Sequence, residues 1–346
     1  MRRFWLLALM TAIAASALVQ AAPVQKCELC HAKPGFQKVL PDKHVVSLYV
    51  PPDSLANSVH RRRECGDCHR DVTEIPHKVN PQRVDCTTCH YIGNLVGAPE
   101  MALYEQYRES VHGRAARAGN ANAPRCQDCH GAHDVRVPTQ EGSSLSKRNL
   151  AHSCGRCHVT VYAKFAMSVH GKLLEQGDQT VPTCTDCHGE HTIESPEEPS
   201  SSVFAASIPN TCSKCHAAEA IVAKYGVSAE QVDTYNESFH GIATTFGSQK
   251  AANCASCHGA HEILPPNDPD SWIYPTNIPK TCGKCHPEAN ANWAKGKIHV
   301  DASKKDAGII YYVANFFKWL TLLTLTGLAI NIALDLYRRV RGHRKT

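Results

Sequence analysis

The sequence predicts a chain of short α-helices and loops with little β-structure, followed by one C-terminal transmembrane helix. Three observations support this fold class. All 18 cysteines belong to one short motif that recurs along the 346 residues. Aromatic residues make up only 7% of the chain, against 20 prolines and 21 glycines, so the polypeptide would struggle to close a hydrophobic core of its own. One apolar run, residues 309–336, is long enough to cross a bilayer.

The N-terminal segment has the features of a targeting signal. It begins with two arginines, continues with an apolar run and ends in small residues. This order is typical of a secretory signal peptide over residues 1–21, with cleavage predicted near Ala21. An uncleaved anchor helix is the alternative interpretation. We therefore expect residues 22–308 to form an exported domain.

The apolar run 309–336 has the flanks of a membrane-spanning helix. Aromatic residues, Tyr311 and Trp319 among them, cluster at its start as they do at a membrane interface. The basic segment 337–346 follows, and the positive-inside rule keeps such a segment in the cytoplasm. A buried core helix would not explain flanks of such different character. The sequence predicts a single-pass protein of the cytoplasmic membrane, with its exported domain on the periplasmic side.

The cysteines form nine Cys-x-x-Cys-His motifs, and no cysteine is left over. Disulfides or structural zinc would explain the cysteine pairs, but neither requires a histidine after every pair. Nine complete motifs predict nine covalently attached c-type haems, each held by two thioethers and by the motif histidine on its iron. The predicted attachment residues are Cys27, Cys30, His31; Cys65, Cys68, His69; Cys86, Cys89, His90; Cys126, Cys129, His130; Cys154, Cys157, His158; Cys184, Cys187, His188; Cys212, Cys215, His216; Cys254, Cys257, His258; and Cys282, Cys285, His286.

The motifs belong to a repeated two-haem module. Motif A is followed by a Ser-x-His-Gly element, and motif B comes next with a Gly-x-His element directly after it. The first module is shortened, and the last is a half module that ends before the apolar run. The A motifs begin at Cys27, Cys86, Cys154, Cys212 and Cys282, and the B motifs at Cys65, Cys126, Cys184 and Cys254.

Histidines outside the motifs supply a second ligand for each iron. His133 lies too close to His130 in the chain to reach the opposite face of the same haem, so we expect it to ligate a neighbouring one. His44 competes with His60 for one of these roles, and His152 is expected to be structural or exposed. The nine candidates are His60, His112, His170, His240 and His299 between motifs, and His77, His133, His191 and His261 after B motifs.

Composition narrows the chemistry further. After removal of the signal peptide only Met101 and Met167 remain as methionines, so most haems are predicted to be bis-histidine and of low potential. The formal net charge of +5 is largely balanced by the haem propionates. A basic surface for nucleic acid is therefore excluded.

The Ser-x-His-Gly and Cys-His-Gly-x-His elements resemble those of membrane-anchored multihaem c-type cytochromes with doubled CxxCH motifs, of the cytochrome c3/c7-like superfamily. The resemblance covers residues 27–299. It implies closely packed bis-histidine haems in a thin wrapping of loops and short helices, and a role in anaerobic respiration. By analogy it also implies a quinol-oxidising membrane partner of the cytochrome b type. Quinol dehydrogenases with an N-terminal anchor are different, so their quinol site is not carried over.

Two functions follow from these features. The favoured one is a nonahaem electron carrier, without catalytic residues, between a quinol-linked membrane partner and periplasmic or extracellular acceptors. The haem ligated by His299 and the haem attached at Cys282 and Cys285 are predicted to lie near the bilayer and to exchange electrons there. The alternative is a reductase of the nitrite, hydroxylamine or tetrathionate type. Such an enzyme needs one open haem site, whereas here the supply of distal histidines matches the demand.

Overall fold

The computed structural model describes residues 26–77, 80–99, 102–296 and 298–343, apart from the side chains of Ala294, Gly342 and His343. The predicted signal peptide, residues 1–21, lies outside the described residues. Short helices and loops make up most of the described chain, and its β-structure is one two-stranded sheet. The predicted fold class is confirmed.

The chain divides into two compact units. The first comprises Met1–Cys89 and Gly131–Arg136, and the second comprises His90–His130 and Val137–Thr346. The first unit contains an antiparallel hairpin in which Lys38 lies opposite Val46. Its elements are α1 (Glu28–His31), β1 (Gln37–Val39), β2 (Val45–Ser47), α2 (Pro52–Ala56), α3 (Cys65–Cys68) and a 3₁₀ turn at Cys86–Thr88.

The second unit repeats a pattern of short helices. A motif-A helix is followed by one or two connecting helices, by the Ser-x-His-Gly helix and then by a motif-B helix. The helices are α4 (Leu103–Glu109), α5 (Val111–Arg117), α6 (Cys126–His130), α7 (Lys147–Gly155), α8 (Val159–Met167), α9 (Val169–Glu175), α10 (Cys184–His188), α11 (Ile208–His216), α12 (Glu219–Val222), α13 (Glu230–Asn236), α14 (Phe239–Thr245), α15 (Cys254–His258), α16 (Ile278–Gly283) and α17 (Ile309–His343). Short 3₁₀ turns lie at Ala223–Tyr225, Trp293–Lys295 and Lys305–Ala307.

The Ser-x-His-Gly element uses its serine and its glycine to start a helix. Ser168 is the N-cap of α9, and its Oγ accepts a hydrogen bond from the Gly171 N–H at 3.1 Å. A Cβ on Gly171 would lie 2.0 Å from the carbonyl oxygen of Phe165, so only glycine allows α9 to pass the end of α8 this closely. The same cap and the same close approach occur at 110–113 and 238–241. The element therefore fixes the direction of its histidine.

The B-motif helices are stabilised by the residues around their cysteines. In α10, the Thr183 N–H donates to the Asp186 carboxylate at 2.7 Å, which completes a capping box around the first turn. Equivalent boxes begin α3 and α15. Both cysteines and the histidine are thereby held on one helical turn. The chain then changes direction sharply at Gly131, Gly189 and Gly259, whose φ angles are +83°, +78° and +82°.

The A-motif helices are tied to the preceding loop by a hydroxyl group. In the last three A motifs the residue immediately before the first cysteine donates to a backbone carbonyl nine residues earlier. The three bonds are Ser153 Oγ to the Ser144 carbonyl at 2.6 Å, Thr211 Oγ1 to the Ser202 carbonyl at 2.6 Å, and Thr281 Oγ1 to the Trp272 carbonyl at 2.7 Å. Each bond fixes the first cysteine of a motif relative to its own loop.

Successive modules are joined by a recurring backbone hydrogen bond. The donor is the N–H of the residue between the serine and the histidine of a Ser-x-His-Gly element. The acceptor is a carbonyl in the next module, two residues after the histidine that follows its B motif. Val59 donates to Val135 at 2.8 Å in the first unit, while Val111 donates to Ile193 and Val169 to Ile263 in the second, both at 2.9 Å. Each module is thus attached to its successor at the same place.

The apolar core is small. Among the described residues, the buried apolar side chains are Ala123, Leu150, Ala151, Leu174, Val181 and Val222. Ala151, Leu174 and Val181 form one cluster, against which Tyr162 and Phe165 pack. A domain of this length ordinarily buries many large side chains. This protein interior is therefore suited to being completed by bound apolar groups.

The last helix, α17, differs from all the others in length and exposure. It contains an apolar segment with a mean hydropathy of 1.6, none of which is buried against the rest of the protein. A helix of 35 residues is about 52 Å long, well above the ~30 Å of a bilayer core. It continues from the predicted span 309–336 into the basic segment. By length and composition, this helix could span a membrane.

Candidate cofactor-binding sites

None of the cysteines in the nine motifs forms a disulfide with another. In most motifs the two cysteines lie one turn apart on a short helix, with the histidine at or just beyond its end. Two thiols and an imidazole are therefore presented from one turn of backbone. This is the donor arrangement that covalent haem attachment requires.

The second feature of the sites is that histidines from distant segments lie in pairs. Within the described part of the chain, the eight pairs named below have ring centroids between 5.9 and 6.3 Å apart. They are His31–His77, His69–His133, His112–His158, His130–His191, His170–His216, His188–His261, His240–His286 and His258–His299. Every pair contains one motif histidine and one histidine predicted as a distal ligand.

The separation within the pairs fits a metal ion held between the rings. A metal–imidazole bond is about 2.0–2.1 Å long, and the ring centroid lies ~1.1 Å behind the nitrogen, so two rings on opposite sides of one metal have centroids roughly 6.3 Å apart. The observed 5.9–6.3 Å agrees with this value. Rings in direct stacking contact are usually closer, from about 4.5 Å. The paired residues therefore fit an iron porphyrin with one axial imidazole on each face.

The pairs follow two rules along the repeat. A B-motif histidine lies beside the histidine that follows the next B motif, as in His130–His191 and His188–His261. An A-motif histidine lies beside the histidine of the preceding Ser-x-His-Gly element, as in His158 with His112. The two ends of the array differ from these rules. The opening pair joins the A-motif His31 to His77, the histidine after the first B motif, and the closing pair joins the B-motif His258 to His299 of the final half module.

His133 therefore lies opposite His69, whose motif begins 61 residues before the motif that directly precedes His133, 126–130. The left-handed turn at Gly131 directs the chain away from α6 immediately after the motif. In the first module Arg70 takes the place of this glycine, and the second histidine comes later, at His77. The turn after each B motif thus determines which partner the second histidine reaches.

Hydrogen bonds orient some of these rings. His31 Nδ1 lies 2.7 Å from the carbonyl oxygen of Leu48, and His299 Nδ1 lies 3.1 Å from Thr234 Oγ1. A partner on Nδ1 leaves Nε2 directed towards a metal, which is the usual role of such outer groups. The sequence pattern does not indicate Leu48 or Thr234 as supporting residues. Thr234 is far from any motif, and the Leu48 carbonyl belongs to the backbone, so neither carries a residue-type signal.

Burial favours the neutral, metal-binding form of the paired histidines. It is the main cause that lowers the pKa of His170 to about 4, with His216 adding to the effect. The same cause lowers the pKa of nine others. They are His112, His130, His133, His188, His216, His240, His258, His261 and His299.

The thiols of consecutive motifs lie beside one another. A hydrogen bond between Cys154 and Cys184 lowers the pKa of Cys154 to about 7 and raises that of Cys184. A side-chain hydrogen bond with Cys254 likewise raises the pKa of Cys212. These contacts join a motif A to the motif B that follows it. In the first unit, burial and then the neighbouring Cys27 raise the pKa of Cys65 to about 11.

Each B motif is coupled in turn to the A motif after it. Burial raises the pKa of its second cysteine, and a thiol of the following motif adds to the increase. The affected pairs are Cys68 with Cys89, Cys129 with Cys154, Cys187 with Cys215 and Cys257 with Cys282. In the second unit the attachment points from Cys126 to Cys285 therefore form one continuous series of neighbours.

The histidines left open by the sequence have different surroundings. His44 lies in the β1–β2 turn, where its Nδ1 contacts the Asp42 carboxylate at 3.0 Å and 83% of its side chain is exposed. His60 is half-buried, and its backbone N–H donates to the Oγ of the buried Ser58. These surroundings favour His60 over His44 as a ligand. His152 is exposed and lies 3.1 Å from the Tyr162 hydroxyl, in agreement with its expected structural role.

Comparison with known families gives two matches. The family described as cytochrome c7 and related cytochrome c matches residues 14–91, and the doubled CXXCH motif matches residues 173–221. No curated protein and no solved structure shows significant similarity to the chain. The chain is a multihaem c-type cytochrome. It binds haem c through its CxxCH motifs, in keeping with a role in electron transfer.

Proposed function

We propose that this cytochrome is a nonahaem electron carrier, anchored in the cytoplasmic membrane by α17. It carries electrons between a quinol-linked membrane partner, of the cytochrome b type, and acceptors in the periplasm or outside the cell. The nine CxxCH motifs attach nine haems. The observation that supports this most strongly is the pairing of motif histidines with distal histidines at 5.9–6.3 Å.

Bound haem c supplies reversible one-electron chemistry at its iron. The protein residues do the rest. With haem bound, the paired histidines would hold it from both sides and would leave no position for a substrate. Burial lowers the pKa of residues such as His170, which favours the neutral form that binds a metal. The side chains of Cys154 and Cys184 are neighbours, as are those of Cys212 and Cys254, so consecutive attachment points lie side by side.

We further propose that His60 completes the set of distal ligands, alongside the eight distal histidines named above. Its choice over His44 rests on the Asp42 contact and on the high exposure of His44. Replacement of His60 by alanine is expected to open one haem, whereas the same change at His44 leaves every haem low-spin. A high-spin signal from the His44 variant alone would reverse the assignment.

The membrane end of the array is proposed to receive the electrons. His299 is paired with His258 and is only ten residues before α17 begins at Ile309. Thr234 holds the ring of His299. The haem at this pair, and the one at His286, are therefore the ones closest along the chain to the anchor.

The test uses the purified full-length protein in lipid vesicles, with and without membranes from the native cell. We expect all haem iron to be low-spin, and a quinol to reduce it rapidly only when the native membranes are present. The variant His299→Ala should slow this reduction, while His112→Ala, which also removes one ligand, should not slow the first phase. A high-spin ferric haem in the unmodified protein would instead indicate the reductase. Equal reduction of both variants would contradict entry at His299.

A further inference from the structure

The last Ser-x-His-Gly helix presents an unusual apolar surface. In α14 and its C-cap residue, Phe239, Ile242 and Phe246 are 84%, 48% and 87% exposed. Their spacing of three and four residues places them on one side of the helix. We call these three residues the end face. Two phenylalanines exposed to this extent side by side are rare on a surface that meets only water.

The end face is specific to the last complete copy of the element. At the position of Ile242 the two preceding copies carry Arg114 and Lys172, and at the position of Phe246 they carry Ala118 and Gln176. In those copies the residue equivalent to Phe239 donates its N–H to the following module. The apolar residues therefore occur where the array of full modules ends.

The end face points away from the haem site on its own helix. At 100° per residue, its centre lies about 130° around the axis from His240. His240 is directed to His286, with ring centroids 6.2 Å apart. On another side of the helix, Gly241 lies against the backbone of Tyr235, where a Cβ would be 2.0 Å from the carbonyl oxygen. The Phe239 ring lies edge-on to the His240 ring, with centroids 6.3 Å apart, so a group held by His240 and His286 would lie beside Phe239 but on the opposite side of the helix from Ile242.

Side-chain contacts tie this part of the protein to the start of the membrane helix. Lys304, five residues before Ile309, forms an ion pair with Glu230 at the start of α13. Near the end of α13, the Tyr235 hydroxyl lies 3.0 Å from Thr244 Oγ1 of α14. The segment that enters α17 is therefore attached to the helix pair that carries the end face.

We propose that the end face inserts into the headgroup–acyl boundary of the same bilayer that α17 crosses. Exposed phenylalanine is well suited to this layer, and the first turns of α17 present Tyr312, Phe316 and Trp319 to it as well. The proposal rests on the membrane anchoring stated above. It adds a second membrane contact, which orients the His240–His286 site relative to the lipid surface.

The test uses the fact that haem attachment leaves no native cysteine thiol free to react. In the variant Phe246→Cys, the introduced thiol is the only one that can react with a membrane-impermeant, charged maleimide. The full-length holoprotein is placed in vesicles of phosphatidylcholine and phosphatidylglycerol at high lipid excess, and labelling is followed by mass spectrometry. Gln176→Cys, at the equivalent position of the preceding module, is the matched control. Both variants must carry the same number of haems as the unmodified protein.

We expect the thiol at 246 to react at least tenfold more slowly than the thiol at 176 in vesicles. Equal rates would overturn the inference. Protection at 246 that appears only in native membranes would assign the end face to a protein partner, and protection that disappears on dilution in lipid would assign it to a second copy. Either outcome would also refute insertion into lipid. Flotation of the vesicles reports separately on α17, because a protein that fails to float contradicts the anchor itself.

Discussion

The substitution Gly171→Ala tests whether the Ser-x-His-Gly element positions an axial ligand. An alanine Cβ at this position would lie 2.0 Å from the Phe165 carbonyl oxygen, whereas ordinary contact begins at 3.4 Å. The helix that begins with Val169 must therefore move by at least the difference of 1.4 Å. Metal–ligand bonds tolerate deviations of about 0.2 Å. His170 is the neighbouring residue, so it should no longer reach the iron that His216 holds.

The expected result is one high-spin haem in nine, or about 11% of the ferric iron, with haem attachment unchanged. Electron paramagnetic resonance and the optical high-spin band measure this fraction, and the mass of the protein counts the haems. Gly283→Ala is the control, because a Cβ at Gly283 meets no atom within 4 Å. A fully low-spin spectrum for Gly171→Ala, at full haem content, would refute the positioning role of the glycine.

Two other substitutions and one truncation test the pairing, the links between helices and the anchor. His133→Ala should open the haem attached through Cys65 and Cys68, so that carbon monoxide binds one haem, while the haem attached through Cys126 stays low-spin; ligand-binding spectra combined with proteolytic haem-peptide mapping check this. Asp178→Asn should reduce the loss of thermal stability on acidification, measured by the melting temperature at several pH values. Hydrogen bonds from Lys224 and then from Thr180 lower the pKa of Asp178 in the folded protein. The stability that ionised Asp178 contributes is therefore present above the unfolded pKa of about 3.9 and is lost as pH falls below it. An Asp178→Asn variant whose melting temperature depends on pH as in the unmodified protein would contradict this. A stop codon after Gly308 should release the haem domain from membranes, and retention in the membrane fraction would contradict anchoring by α17.

The sequence predicted which histidines belong to the sites better than it predicted which histidine is paired with which. Repeat register was sufficient to select the histidines that the structure brings together, because a residue with the same role recurs at the same place in each module. It also predicted that His133 serves a motif other than its own. It did not reveal that the partner is His69, because that choice depends on the left-handed turn at Gly131 and on backbone bonds such as Val59 to Val135.

The elements that the sequence did not predict lie outside the repeat. The hairpin Gln37–Ser47 is not part of the repeat, and the side chains of its strands are all exposed. Its sequence therefore lacks the alternation of apolar and polar residues that predicts a half-buried strand. The tie between Thr234 and His299 joins residues 65 positions apart. Such contacts depend on how helices of different modules pack, which a pattern of single residues does not contain. Helical hydrogen bonding in α17 continues beyond the predicted span 309–336 to His343, so residues 337–343 of the basic segment are helical as well.

The most direct test of the account is the spin state and the number of haems in one sample of the mature, full-length protein. Intact mass gives the number of covalent haem additions, and electron paramagnetic resonance of the fully oxidised protein gives the ligation of each iron. Paired imidazoles at every motif predict nine additions and signals from low-spin iron only. Fewer than nine additions, or one high-spin centre in the undamaged protein, would contradict it.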